Sequence, residues 1–202
     1  ICRPYLAEKK RLKKLELSYR EFEKFVKICE KNNIQPAITC FVREHINEIY
    51  NLGFKIVKVA SYDCASLPLI QELANYFDEL IISTGATYDH EIERTAQILT
   101  SRNVQFTFLH CVTIYPTPLN EIHLNRMNSL KKYTPSIGLS EHTLVRRDGI
   151  KASLAAIFEG AEFIERHFTV LAEDQTKDGP VSIRKEHVQE LVKFSKLSKE
   201  DQ

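Results

Sequence analysis

Two histidines of this sequence each stand at the end of a short apolar segment with the composition of a β-strand. In the first segment, 161–169 (AEFIERHFT), Glu165 and His167 share one face of a strand, and the residue between them takes the other face. The second segment, 136–143 (SIGLSEHT), ends with His142. Two imidazoles at the carboxyl ends of adjacent strands predict one divalent metal site. Either histidine considered alone is more simply an ordinary polar loop residue.

A lysine lies inside a third apolar segment, 55–61 (KIVKVAS). An ammonium group inside an apolar strand is costly unless an anion neutralises it. If Lys58 faces the protein interior, a phosphate or a carboxylate is its natural counter-ion, and a Schiff-base role is the alternative. A side chain that extends along the surface to reach solvent is the simpler explanation that competes with both.

Small hydroxyl side chains end three neighbouring strand segments. Thr39, Ser61 and Ser83 occupy these positions, and Ser83 is followed by Thr84 and Gly85. Hydroxyls and exposed backbone N–H groups donate to phosphate oxygens. Each of these residues alone is an ordinary strand end, but their recurrence on consecutive strands predicts a shared anion site.

Two loops are candidates for the walls of such a site. The segment YPTP (115–118) is stiffened by its prolines, so it either presents Tyr115 to a substrate or simply leads into a helix. The acidic loop 174–178 ends with Asp178, which can supply a carboxylate, although such loops are more often only solvated.

Alternating strand and helix patterns position these residues. A capping box at 18–21 predicts a helix over 18–33, and six strand–helix units follow it. The predicted strands are 34–41, 55–61, 80–83, 104–110, 136–139 and 162–168. Short apolar strands that alternate with amphipathic helices indicate a parallel sheet covered by helices, and hence an α/β fold.

Both a doubly wound sheet and a barrel fit this alternation. A doubly wound sheet forms its site at one switch point, whereas a barrel collects its site from every strand end. Polar residues recur at the ends of all six predicted strands, which favours a (β/α)8 TIM barrel. We expect this barrel to be incomplete, with its strands 3 to 8 present and its first two strands before Ile1, since the helix at 18–33 needs a strand ahead of it. Ile1 is not an initiator methionine, which predicts that the chain is a piece of a longer protein.

The composition excludes several classes of function. The chain has 202 residues, of which 43% are hydrophobic, and its formal net charge is +1, so neither a nucleic-acid nor an anionic-membrane surface is expected. No apolar run approaches a membrane span, and no signal-peptide pattern is visible. Five scattered cysteines without a Cys-x-x-Cys pair favour a reducing, cytoplasmic location over a disulfide framework.

Five short motifs follow one another between about residues 18 and 195. They are KVASYD (58–63), IISTG (81–85), LHCVTIYPTP (109–118), GLSEHT (138–143) and ERHFT (165–169). In this order and spacing they resemble the sialic acid synthase family, which includes N-acetylneuraminate synthase and its legionaminate and pseudaminate relatives. An ordered set of motifs is far more specific than any one of them.

The resemblance implies a TIM barrel that condenses phosphoenolpyruvate with an N-acyl amino sugar, such as N-acetylmannosamine, and releases phosphate. It implies Mn²⁺ or Mg²⁺ as cofactor and a homodimer without nucleic-acid or membrane partners. The metal ligands it implies are His142 and His167. The phosphoenolpyruvate contacts it implies are Thr39, Lys58, Ser61, Ser83 and Ser140. It implies a sugar site of Asp63, Tyr115, Glu165 and Asp178, with catalytic roles for Glu165 and Lys58.

The sequence departs from the family pattern in several places. An acidic residue and a lysine of the family's first two strands have no counterpart here, and we expect them before Ile1. We expect residues 1–202 to form part of the barrel catalytic domain, without the family's small antifreeze-like C-terminal domain. Thr113 stands where several members have Asn or Ser, and Glu141 replaces a common Asp. The loop 176–181 (TKDGPV) differs from the usual Pro-Gly-Pro-Asp.

Two other functions stay open on the sequence. A non-catalytic barrel fragment used for binding or scaffolding is favoured if the gene begins near Ile1. A Schiff-base aldolase that uses Lys58 is the other, and trapping with borohydride and pyruvate distinguishes it from a phosphoenolpyruvate enzyme.

Overall fold

Six parallel strands form one sheet whose spatial order is the chain order. The computed structural model describes residues 5–202. Its strands are β1 Ala37–Thr39, β2 Ile56–Val59, β3 Glu79–Ser83, β4 Gln105–Cys111, β5 Ile137–Glu141 and β6 Phe163–Arg166. Each strand pairs with the next one in the chain, from β1 to β6. This order has no switch point, which favours the barrel over the doubly wound sheet, and it confirms the predicted parallel α/β architecture.

Helices connect the strands and cover one face of the sheet. They are α1 Tyr5–Lys13, α2 Tyr19–Lys31, α3 Ile46–Asn51, α4 Leu67–Leu73, α5 Asp89–Ser101, α6 Asn125–Leu130, α7 Val145–Asp148, α8 Lys151–Phe158 and α9 Lys185–Ser195. The predicted capping box begins α2, where the Ser18 backbone N–H donates to the Glu21 carboxylate at 2.6 Å. The basic segment 9–14 (KKRLKK) lies largely on α1, which has no buried residue and is therefore a solvated helix.

The strand lengths differ from the predicted ones. The segment 34–41 forms only the short strand Ala37–Thr39, because Pro36 has no N–H to donate to a sheet. The last strand ends at Arg166, so His167 lies just beyond it. The loop 170–181 contains two 3-10 turns, Glu173–Gln175 and Gly179–Val181, and the short helix α7 was not expected.

The hydrophobic core lies between the sheet and the helices. Val57 and Val59 of β2 have no solvent exposure, and they pack in one cluster with Leu80 and Ile82 of β3 and with apolar residues of the flanking helices. Successive strand residues point to opposite faces. Lys58, which lies between the two valines, therefore points away from this core and toward the other face of the sheet.

The sheet is strongly curled. Four strand spacings in a flat sheet would separate β2 from β6 by roughly 19 Å. The Lys58 ammonium of β2 nevertheless lies 3.2 Å from a Glu165 carboxylate oxygen of β6. The six strands therefore form a half-barrel, with the helices on its convex side, which is consistent with an incomplete TIM-barrel-like fold.

Two further expectations concern membranes and cysteines. Within residues 5–202, no helix is long and apolar enough to cross a membrane. Cys29, Cys40, Cys64 and Cys111 are free and buried, as expected for a chain without a disulfide framework. Cys2 and Ile1 lie outside the described residues.

A glycine permits the close approach of β5 and β6. A Cβ atom at Gly138 would lie 2.3 Å from the Phe163 carbonyl oxygen and 2.6 Å from a methyl carbon of Leu109. We expect Gly138→Ala to lower the free energy of unfolding by about 1–3 kcal/mol, the usual cost of overpacking a well-packed interior. Urea denaturation measures this change, and an unaltered midpoint would show that the two strands can separate without cost.

Candidate functional site

A cavity of about 540 Å³ opens on the concave face, at the carboxyl ends of the strands. Residues at the ends of all six strands, from β1 to β6, contribute to its wall, as expected for a site built at the top of a parallel barrel. The structure brings together there nine of the predicted site residues, namely Thr39, Lys58, Ser61, Ser83, Tyr115, Ser140, His142, Glu165 and His167.

Lys58 lies between a hydroxyl and a carboxylate from different strands. Its ammonium group donates to Ser83 Oγ at 2.8 Å and lies 3.2 Å from Glu165 Oε1. The side chain is only 12% exposed, so it does not extend along the surface to solvent. An ammonium group in a cavity wall can bind the phosphate or carboxylate of a ligand through charge-assisted hydrogen bonds, in competition with the Glu165 carboxylate.

The turn after β3 packs closely against the end of β2. The Gly85 N–H donates to Ser61 Oγ at 3.1 Å, and the Thr87 hydroxyl donates to the Ser61 carbonyl at 3.3 Å. A Cβ atom at Gly85 would lie 2.8 Å from Thr113 Cγ2 and 2.9 Å from the Cys111 carbonyl oxygen. Only glycine therefore lets this turn approach so closely, and the contact holds Ser61 at the cavity wall.

The two histidines are neighbours in the cavity. The ring centroids of His142 and His167 are 5.2 Å apart. His142 is 5% exposed, and its Nε2 is 2.8 Å from the Tyr115 hydroxyl, whose ring packs against it at a centroid distance of 3.9 Å. Its Nδ1 atom is buried and has no hydrogen-bond partner.

The electrostatic surroundings keep the His142 ring neutral. Burial, and then the positive charges of His167, Arg166 and Lys58, lower the pKa of His142 to about 3. The neutral imidazole is the form that binds a metal ion. Of the two ring nitrogens of His142, Nδ1 has no hydrogen-bond partner in the protein.

Whether these residues fit a metal ion depends on the donor atoms that the cavity presents. Among residues 5–202, no group of three or more His, Cys, Asp and Glu side chains is arranged to hold one. A divalent ion bound here would take the neutral His142 and its neighbour His167 as its protein ligands and would leave its remaining positions to water or substrate. Two imidazoles suit Mn²⁺ less specifically than Zn²⁺ or Cu²⁺, but they do fit a divalent ion that keeps open positions.

Two predicted site residues lie outside the cavity wall. Asp178 approaches the site only through His167, with its carboxylate 3.9 Å from His167 Nδ1. Asp63 lies in the 3-10 turn Ser61–Asp63, where one carboxylate oxygen is buried without a partner. Burial raises the pKa of Asp63 above its ordinary value.

Sequence reasoning missed several residues of the wall. Phe41 and Tyr62 stack on one side of the cavity, with ring centroids 6.2 Å apart. Thr113 and Arg166 also contribute to the wall. The repeated hydrophobic pattern carries no signal for these residues, because they lie at or beyond strand ends that become neighbours only when the sheet curls.

Comparison with known proteins identifies the family. The NeuB family matches residues 6–200. The chain belongs to the NeuB family. The chain is 36% identical over 173 residues to N,N'-diacetyllegionaminic acid synthase of Campylobacter jejuni, which covers 84% of this chain and 50% of that protein. The recognised sialic acid synthase resemblance is thereby confirmed.

Two further proteins show the same similarity. N-acetylneuraminate-9-phosphate synthase of Drosophila melanogaster is 28% identical over 181 residues, 88% of this chain and 48% of that protein. The crystal structure of N-acetylneuraminic acid synthetase from Leptospira borgpetersenii matches with a TM-score of 0.83 and 30% identity, over 89% of this chain and 62% of that one. The chain thus spans about half the length of the relatives that it matches in sequence.

Acid should destabilise this NeuB-family fold through His142. Because the pKa of His142 is lowered from 6.5 to about 3, the unfolded chain binds its proton more readily than the folded protein does. The contribution of neutral His142 to the free energy of unfolding is therefore complete above about pH 6.5, and it is lost as the pH falls toward 3. In metal-free protein, we expect His142→Gln to lose less stability than the unsubstituted protein between pH 7 and pH 4. Urea midpoints at the two pH values measure this, and equal losses would contradict the assignment.

Proposed function

We propose that the protein containing this chain condenses phosphoenolpyruvate with an N-acyl amino sugar, N-acetylmannosamine or a similar one, to give a nine-carbon sialic-acid-type sugar and phosphate. The observation that carries the proposal is the meeting of Lys58, Ser83, Glu165 and a pair of histidines in one cavity. The printed names of the relatives, which are synthases of legionaminic and neuraminic acids, support the same reaction class.

The strand-end lysine and hydroxyls form the proposed phosphoenolpyruvate site. Lys58 and Ser83 are already in contact, and the hydroxyls of the same wall add further donors from Thr39, Ser61 and Ser140. Together they neutralise and orient the phosphate and carboxylate of phosphoenolpyruvate, which contributes binding and alignment of the reacting carbon.

The histidines form the proposed metal site. His142 and His167 would hold Mn²⁺ or Mg²⁺, and the neutral His142 ring with its unpartnered Nδ1 supports this role. When bound there, a divalent metal supplies Lewis-acid polarisation of the sugar's aldehyde oxygen. Tyr115, which packs against His142, would form a wall of the sugar site.

In the proposed reaction the enol carbon of phosphoenolpyruvate bonds to the aldehyde carbon of the sugar. The aldehyde oxygen takes up a proton as this bond forms. Water then adds to the carbon that still carries the phosphate group and loses a proton, and the bond from that carbon to the phosphate oxygen breaks as phosphate leaves. Glu165 contacts Lys58 and lines the same cavity as the histidines, so it can orient a sugar hydroxyl or move a proton. Asp63 and Asp178 are proposed as outer contacts of the sugar, since neither belongs to the cavity wall.

The Schiff-base alternative is less well supported. A Schiff base requires Lys58 to attack as a neutral amine, whereas its partners here are a carboxylate and a hydroxyl that suit an ammonium ion. Borohydride with pyruvate should therefore leave Lys58 unmodified, and a stable adduct on Lys58 would favour the aldolase.

The position of the six strands within a complete barrel is also a proposal. We assign β1 to β6 to strands 3 to 8 of an eight-stranded barrel, because β1 and β6 are unpaired edges of a sheet that already curls toward closure. Three expectations concern the whole protein and stay predictions. They are the homodimer, the cytoplasmic location and the alternative function as a non-catalytic scaffold.

The metal and anion sites should respond separately to substitution. We expect His142→Ala and His167→Ala each to abolish condensation and to weaken Mn²⁺ binding by more than about 100-fold, because losing a ligand costs more than losing an outer-shell partner. Ser83→Ala should weaken phosphoenolpyruvate binding and leave Mn²⁺ affinity unchanged. Calorimetric titration of Mn²⁺ and phosphoenolpyruvate measures both affinities in each variant. His123→Ala, at an exposed histidine, is the control. Unchanged Mn²⁺ affinity in both cavity variants would remove the metal site.

Glu165 should compete with phosphoenolpyruvate for Lys58. We expect Glu165→Gln to abolish condensation but to tighten phosphoenolpyruvate binding roughly two- to fivefold, the range expected for loss of a partly exposed ion pair. Glu162→Gln is the matched control, because Glu162 belongs to the same strand region but bonds to Ser136 away from the cavity. Weaker phosphoenolpyruvate binding in Glu165→Gln would show that Glu165 supports the anion site instead of competing for it.

A further inference from the structure

A buried ion pair joins β5 to β6 directly behind the two histidines. Glu141 and Arg166 are register partners on these adjacent strands. Their side chains are 0% and 3% exposed, and Arg166 Nη1 contacts Glu141 Oε2. A buried pair of this kind contributes little net stability, because desolvation of both charges offsets their attraction. Its presence therefore calls for an explanation other than stability.

Both oxygens of the Glu141 carboxylate are engaged. The Thr143 hydroxyl donates to Oε1, and the Ser153 hydroxyl of α8 donates to Oε2. Arg166 extends the network, since its Nη2 donates to the Val181 carbonyl at 3.3 Å. The pair thus connects two strand ends, one helix and the turn that follows Asp178.

The position of the pair in the chain links it to the histidines. Glu141 directly precedes His142, and Arg166 directly precedes His167. Because side chains alternate along an extended chain, the Glu141 and Arg166 side chains meet on the helix side of the sheet, although part of Arg166 also borders the cavity, while the histidines point into it. The pair and the two imidazoles, whose centroids are 5.2 Å apart, are therefore attached to the same two strand ends.

We propose that Glu141 and Arg166 are positioning residues that hold His142 and His167 at the separation required to share one divalent metal ion. The inference rests on the proposed function, since it assumes that these histidines bind a metal. In this proposal neither residue is a ligand of the metal. Their effect passes through the backbone of the two strand ends, as with the supporting groups behind other metal ligands.

The competing explanation is that the pair only stabilises the fold. Single variants such as Glu141→Gln leave a buried charge without its partner and risk unfolding. The decisive variant is Glu141→Leu/Arg166→Met, which replaces both charges by apolar side chains of similar length and leaves no buried charge. If the pair were only structural, this double variant would keep full metal affinity once it is shown to be folded.

The experiment measures Mn²⁺ and phosphoenolpyruvate binding by calorimetry in purified protein containing residues 1–202, and unfolding by urea. We expect the double variant to unfold cooperatively and to bind Mn²⁺ about 10- to 100-fold more weakly, with unchanged phosphoenolpyruvate affinity. Glu141→Asp, which keeps the charge, should retain more Mn²⁺ affinity than Glu141→Gln. Asp148→Asn is the matched control, because Asp148 is also a buried carboxylate paired with an arginine, Arg147, but is not joined to β6. Its Mn²⁺ affinity should not change.

The outcomes separate this inference from the proposed function. A folded double variant with full Mn²⁺ affinity, alongside histidine variants that lose it, would overturn the positioning role and leave the metal site intact. An equal loss of Mn²⁺ and phosphoenolpyruvate affinity would also overturn it, because a general loosening of the cavity would then explain the result. No Mn²⁺ binding by the unsubstituted protein would overturn the metal site and the positioning role together.

Discussion

The rest of the site depends on how one buried ammonium group is neutralised. Lys58 points from β2 into the concave side of the sheet, where a lone positive charge would be costly. Its partners are Ser83 on the next strand and Glu165 on the far strand β6. Glu165 can reach Lys58 only because the sheet curls, and the same curl encloses the cavity. The Lys58–Glu165 ion pair therefore depends on the half-barrel shape of the sheet.

The apolar core on the opposite face determines which residues enter that cavity. Val57 and Val59 are fully buried against the helices, so Lys58 between them must face the concave side. A slip of one residue in register would reverse every side chain of the strand. The same reasoning applies to β5, where Leu139 is buried in the core while Ser140 lines the cavity. Packing on one face therefore specifies chemistry on the other.

The cavity combines the Lys58 ammonium group with a pair of imidazoles. Lys58 attracts anions, and together with Arg166 it also helps to keep His142 neutral. Carboxylates offset these charges, with Glu165 beside Lys58 and Glu141 beside Arg166. A neutral imidazole next to a cationic side chain is the combination that the proposed reaction between phosphoenolpyruvate and a metal-polarised aldehyde requires.

The sequence by itself determined the parallel α/β alternation, the capped helix at Ser18 and the set of polar residues at the strand ends. These features follow from local periodicity and from short motifs, which one segment of chain carries without reference to any other. Only the tertiary structure decided that Lys58 contacts Glu165, that Arg166 pairs with Glu141, and that Asp63 and Asp178 lie outside the cavity wall. The physical reason is that these contacts join segments distant in the chain, so they depend on strand register and on sheet curvature, neither of which a local pattern specifies.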